Sequence, residues 1–149
     1  MQSIDRRFLL VAGTASLGAM ALPAFAAAPV FYRSPGCGCC HAWTIRMAEA
    51  GLPVSLEDSE DLSAVSQKFG VPGSLQGCHV GEIEGYVISG HVPPKDIKRL
   101  LQEKPQARGL VVPGMPVGSP GMEMGGQTEA YDVLLLKADG STTVFASHG

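Results

Sequence analysis

The chain has 149 residues, 45% of them hydrophobic, with 11 Lys and Arg against 14 Asp and Glu and a formal net charge of −3. This length suits one domain, and the ordinary apolar content excludes a disordered chain. The slightly acidic balance argues against wrapping nucleic acid, which needs clustered positive charge to neutralise phosphates.

The first segment reads as an address. Arg6-Arg7 precede Phe8-Leu9-Leu10, an apolar run continues to Leu22, and Pro23 introduces Ala24-Phe25-Ala26. A basic start, an apolar stretch and a small-x-small cleavage pattern are the parts of an export signal, and the paired arginines resemble the twin-arginine type. A membrane anchor is the competing reading. Spanning a bilayer takes roughly 20 apolar residues, and this run is shorter and broken by Gly13, Thr14 and Gly18. Residues 1–26 are therefore expected to be an export signal and 27–149 a single domain, with no membrane span after cleavage. The expected location is the periplasm.

Beyond the signal, Pro29 to Ser34 reads as a short strand, rich in β-branched and aromatic residues. Ser34-Pro35-Gly36 breaks it, and three cysteines follow. From Cys40 to Ala50 the apolar residues Cys40, Trp43, Met47 and Ala50 share one helical face, with Gly51 as the stop. Leu52 to Leu56 reads as a second strand and Asp61 to Phe69 as a short helix. His79-Val80 and Tyr86-Val87-Ile88 flank a turn at Glu84-Gly85, and a helix runs from Lys95 to Glu103. Tyr131 to Lys137 and Thr142 to Phe145 form a last hairpin around Asp139-Gly140. A strand, a cysteine-bearing turn, a helix and a strand in that order begin a thioredoxin-like domain. The expected fold is α/β (α+β): a thioredoxin-like mixed sheet with helices on both faces and an added C-terminal β-hairpin. Between Val112 and Gly126 the density of Pro and Gly excludes regular structure, yet the stretch carries Met115, Met122 and Met124.

The chemistry concentrates in Cys37-Gly38-Cys39-Cys40-His41. An oxidising compartment favours structural disulfides, but adjacent thiols pin nothing distant together, so two staples are a poor reading. Three motifs overlap here. As C-x-x-C, Cys37 and Cys40 are the pair of a thiol-disulfide oxidoreductase, with thiol pKa values lowered by a helix N-terminus. As C-x-x-C-H, they match a c-type haem attachment site with His41 as axial ligand. As C-x-C-C, three thiolates converge on one small volume, which suits a soft metal such as copper(I) or zinc. Haem conflicts with the several strand-like segments, because small c-type cytochromes are mostly helical. A third thiol, Cys39, would divert mixed disulfides in simple dithiol exchange, whereas metal coordination makes use of it. Cys78 supplies a fourth sulfur, in a region that faces the cysteine-bearing helix in a thioredoxin-like fold. Four thiolates also fit zinc, although zinc sites more often take two separated pairs. Thioether sulfur is a better ligand for copper(I) than for zinc, so Met122 and Met124 are candidate additional ligands or lid residues, as is Met115. Among the histidines, His41 adjoins the cluster and is the leading additional ligand. His79 is expected on the opposite strand face from Cys78, His91 either capping a loop or binding the metal, and His148 in a disordered tail.

Four motifs together resemble a known family. Cys37-Gly38-Cys39-Cys40-His41-Ala42-Trp43, Gly77-Cys78-His79, Gly85-Tyr86-Val87-Ile88-Ser89-Gly90-His91-Val92-Pro93 and Gly114-Met115-Pro116-Val117-Gly118-Ser119-Pro120-Gly121-Met122-Glu123 are similar to the CopG-like periplasmic copper-resistance proteins, long described only as a metal-binding family of unknown function. The resemblance spans Val30 to Phe145. It implies a thioredoxin-like fold whose cysteines bind a copper cluster, with Cys37, Cys39, Cys40 and Cys78 as ligands and a role in copper resistance. The expected function is an exported protein that sequesters copper(I), in a multinuclear thiolate cluster, with interconversion of copper oxidation states as an extension. Its expected partners are copper ions and periplasmic copper-handling proteins. This is a metal-binding protein in preference to an enzyme, with no catalytic residue assigned. A thiol-disulfide oxidoreductase using Cys37 and Cys40 is the alternative.

Overall fold

The structure, a computed structural model, describes residues 27–149; the export-signal reading of residues 1–26 lies outside the described residues. The elements in order are β1 (Val30–Arg33), α1 (Gly38–Glu49), β2 (Ser55–Asp58), α2 (Leu62–Lys68), a 3-10 turn (Gly73–Leu75), β3 (His79–Ile83), β4 (Tyr86–Ser89), α3 (Pro94–Glu103), β5 (Gly109–Val111), β6 (Tyr131–Leu136) and β7 (Thr142–His148). The seven strands form one sheet in the order β2-β1-β3-β4-β5-β6-β7. Pairs β1–β2 and β4–β5 are parallel and the other four are antiparallel. The mixed sheet and the C-terminal hairpin match the expectation from sequence.

Alternation along the strands divides the core into two layers. On one face, Phe31, Ile83, Ile88 and Leu110 pack with Trp43 and Met47 of α1 and with Ile97 and Leu100 of α3. On the other, Val80, Val87, Val111 and Leu136 pack with Leu62 and Val65 of α2. Helices therefore cover both faces, because each strand residue's neighbour points the opposite way and both sets are apolar.

Four local readings need correction. Helix α1 starts at Gly38, two residues earlier than expected, since Cys37 adopts extended angles and serves as the N-cap. This brings Cys39 and Cys40 into the first helical turn. Strand β2 lies later than expected: Leu52 N–H still donates to Met47 O, closing the helix, and sheet pairing opens with Ser55 N–H donating to Pro29 O. Strand β5 has no counterpart among the expected elements, because three residues show no period and only their pairing with β4 and β6 makes them a strand. His148 is not in a loose tail. It belongs to β7, its Nε2 lies 2.7 Å from the buried carboxylate of Asp96, and its ring stacks on Tyr131. Among the described residues, no helix is long and apolar enough to cross a membrane.

Candidate metal centre

At the end of β1, Ser34-Pro35-Gly36 reverses the chain, and Cys37 N–H donates to Ser34 O at 3.2 Å. Arg33 pins this turn to the neighbouring strand: its Nη1 donates to Cys37 O at 2.9 Å and its Nε to Asp58 Oδ1 at 2.8 Å. Cys39 and Cys40 then sit among the unpaired amides of the first turn of α1. Helical rotation separates them. Cys40 turns into the core, with Sγ 3.3 Å from Cys78 O, while Cys37 and Cys39 remain partly exposed. Cys37 and Cys40 are joined as a disulfide, and Cys39 and Cys78 are free.

The distal cysteine reaches this turn through backbone packing. A Cβ on Gly77 would stand 2.3 Å from Gly90 Cα, so the two segments touch main chain to main chain. The residues that follow each glycine, Cys78 and His91, face each other, with Sγ 2.9 Å from Nε2. Cys78 Sγ is 3.9 Å from Cys39 Sγ, which lies 3.3 Å from Cys37 Sγ. All four sulfurs fall within 4.8 Å of one another, and Cys78, His79 and His91 form a second group within the same limit.

Of these two histidines, His79 differs from the sequence reading. Cys78 precedes the first paired residue of β3, so strand alternation does not separate it from His79, whose Nδ1 is 3.5 Å from Cys78 Sγ. His91 does hold a loop, its Nδ1 being 2.7 Å from Pro120 O, and presents its other nitrogen to the cluster at the same time. His41 is exposed on α1 and belongs to neither group of close donor atoms. Of the loop methionines, Met115 brings its Sδ to 4.0 Å from Cys39 Sγ; Met122 is half-buried, and Met124 is exposed and bridged to Gln127.

Beneath the sulfurs is an aromatic floor. The Trp43 ring lies 4.3 Å from His79 and 5.0 Å from Phe31, centroid to centroid, and its Nε1 donates to Val92 O. This low-dielectric setting disfavours charge. Burial, reinforced by the neighbouring Cys39, pushes the Cys78 thiol up to about 12. Burial, reinforced by His91, lowers the His79 imidazole to about 3, and burial also lowers His91. His79 Nε2 is buried with no hydrogen-bond partner among the described residues. Neutral imidazoles and thiols that give up protons to a cation are the donor chemistry of a soft metal site.

A mixed-sheet protein with four sulfurs and two imidazoles gathered at the start of its first helix belongs to the class of candidate thiolate metal-binding proteins. Two solved structures are similar over most of their length. "Copper resistance protein copG- Form 1" is 42% identical with a TM-score of 0.76, covering 80% of this chain and 95% of its own. "Copper resistance protein copG- Form 2" is 41% identical with a TM-score of 0.77, covering 81% and 97%. A family model described as "Protein of unknown function, DUF411" matches residues 75–122, and no curated protein matches. The chain belongs to the CopG copper-resistance protein family.

Proposed function

We propose that this protein is exported to the periplasm, where it sequesters copper(I) through Cys37, Cys39, Cys40 and Cys78 and so contributes to copper resistance. The observation that carries this reading is the convergence of four sulfurs within 4.8 Å, one of them donated across to α1 by the residue just before β3. So many thiolates in so small a volume favour copper(I), and shared sulfurs suit a multinuclear cluster. His91, His79 and Met115 bring donor atoms to 2.9, 3.5 and 4.0 Å of a cluster sulfur, which ranks them above His41, Met122 and Met124 as additional ligands. Zinc is the alternative cargo, since sulfur and imidazole donors suit it as well. The names of the similar structures and the leader-like residues 1–26 support the copper and export parts of the reading.

Cys37 and Cys40 ligate only as thiolates, so full loading requires the disulfide to open. Reduction by an external dithiol adds two electrons and two protons, the dithiol becoming a disulfide, and metal binding then releases the protons. In reverse, oxidation of the dithiol delivers two electrons, enough to turn two copper(II) into two copper(I). The presence of that disulfide within the sulfur cluster supports copper redox interconversion as part of the function.

A copper(I) titration of the reduced protein, followed by native mass spectrometry, tests the proposal. Several copper ions per chain are expected, with fewer in Cys39→Ser; no uptake, or an unchanged count in Cys39→Ser, defeats it. The same titration at stepped pH should show affinity falling as pH falls. The Cys78 thiol, raised to about 12, is protonated throughout the neutral range, so each step down in pH strengthens the proton's competition with the metal.

The Cys37–Cys40 disulfide favours a second reading, a thiol-disulfide oxidoreductase. That activity predicts insulin reduction abolished by Cys37→Ser or Cys40→Ser but retained in Cys39→Ser. On the copper reading, the wild-type protein shows no such turnover.

A further inference from the structure

The loop between β5 and β6 is held to α1 by a chain of contacts that ends on His91. Arg46 of α1 donates from Nε to Glu123 Oε1 at 2.9 Å, and the other oxygen, Oε2, accepts from Gly121 N–H at 2.9 Å. Gly121 has φ +88 and presses against the first turn of the helix: a Cβ there would stand 2.7 Å from both Cys39 O and Trp43 N. Only glycine combines that backbone conformation with so close an approach. The preceding residue, Pro120, turns its carbonyl to His91 Nδ1 at 2.7 Å. A carbonyl only accepts, so Nδ1 carries a hydrogen, and Nε2 is the nitrogen that faces Cys78 Sγ, 2.9 Å away.

We propose that Glu123 and Gly121 are positioning residues of the metal centre: they hold the Pro120 carbonyl where it fixes the His91 tautomer, with Nε2 free to serve the Cys78 side of the site. The inference rests on the proposed copper reading for its consequence, since Nε2 is then a donor poised beside a thiolate ligand. Neither residue touches the cluster through its own side chain. Both act through one backbone carbonyl, as the outer partners of metal-bound histidines do.

The test uses the reduced, metal-free full chain and two readouts. Long-range proton–nitrogen NMR of the imidazoles should show His91 as a single tautomer, protonated at Nδ1. In Glu123→Ala and in Gly121→Ala the ring should become a mixture of tautomers. Copper(I) affinity, measured by competition with a coloured chelator, should fall by about 10- to 100-fold in each, the usual effect of losing an outer partner. Glu123→Gln keeps one carbonyl acceptor and should fall between Glu123→Ala and wild type. Glu123 is exposed, so its alanine variant should keep its thermal midpoint, which separates positioning from folding even if Gly121→Ala folds poorly. The proposal is overturned if wild-type His91 is protonated at Nε2 or at both nitrogens, or if Glu123→Ala leaves the tautomer unchanged. A changed tautomer with unchanged copper affinity overturns it too. A wild-type protein that takes up no copper(I) defeats the functional reading instead, while the NMR arm, read without metal, still judges whether Glu123 and Gly121 fix the His91 tautomer.

Discussion

Replacing Cys78 by Ser should lower copper(I) affinity by at least about 100-fold and reduce the number of copper ions held. Losing an outer partner of a metal site already costs about 10- to 100-fold, and Cys78, just before β3, is the one sulfur that reaches the cluster from outside the α1 turn. It lies 3.9 Å from Cys39 Sγ, and its carbonyl lies 3.3 Å from Cys40 Sγ. A hydroxyl in its place is a hard donor on a shorter bond, matched neither to copper(I) nor to bridging. Chelator competition and native mass spectrometry measure both effects. Wild-type stoichiometry in Cys78→Ser would reduce the site to the three sulfurs of the α1 turn.

Acidification should destabilise the fold well above the carboxylate range, and His79→Leu should remove much of that sensitivity. The His79 ring is buried between Trp43, Phe31 and His91, and its pKa falls from 6.5 to about 3. Between those values the unfolded chain takes up a proton that the native protein refuses. Stability is therefore fully present above 6.5 and declines as pH drops toward 3, at roughly 1.4 kcal/mol per pH unit for one such group. His91 is lowered in the same direction and leaves a residual slope in the variant. Urea unfolding of the metal-free protein at about pH 7, 5.5 and 4 measures the slope; an equal slope in His79→Leu would exclude this assignment.

Part of the centre was legible in residue order because the fold is built from local signals. Cys40, Trp43 and Met47 mark one face of α1 at helical spacing, and all three are fully buried. The turn at Glu84-Gly85 was equally plain, and its consequence reaches the cluster. In the hairpin register Val80 pairs with Ser89; carried two residues further, that register sets Cys78 opposite His91. The contact was within reach of sequence reasoning. It lies beyond the paired residues of β3 and β4, so neither histidine signals it by itself.

Other features had no local signal to read. The methionine nearest the sulfurs is Met115, not Met122 or Met124, because Gly77 and Gly114 bridge and bring that end of the loop to the cluster. His148 is ordered by Asp96, 52 residues away, and β5 exists through its neighbours.

From sequence alone came the mixed α/β order, the cysteine turn at a helix start and the soft-donor character of the cluster, all set by spacing and residue type over a few positions. The tertiary structure alone decided which imidazole and which thioether stand beside the thiols, and which sulfurs are bonded or free. Those outcomes depend on distances between segments far apart in the chain, and packing sets such distances where local propensity is silent.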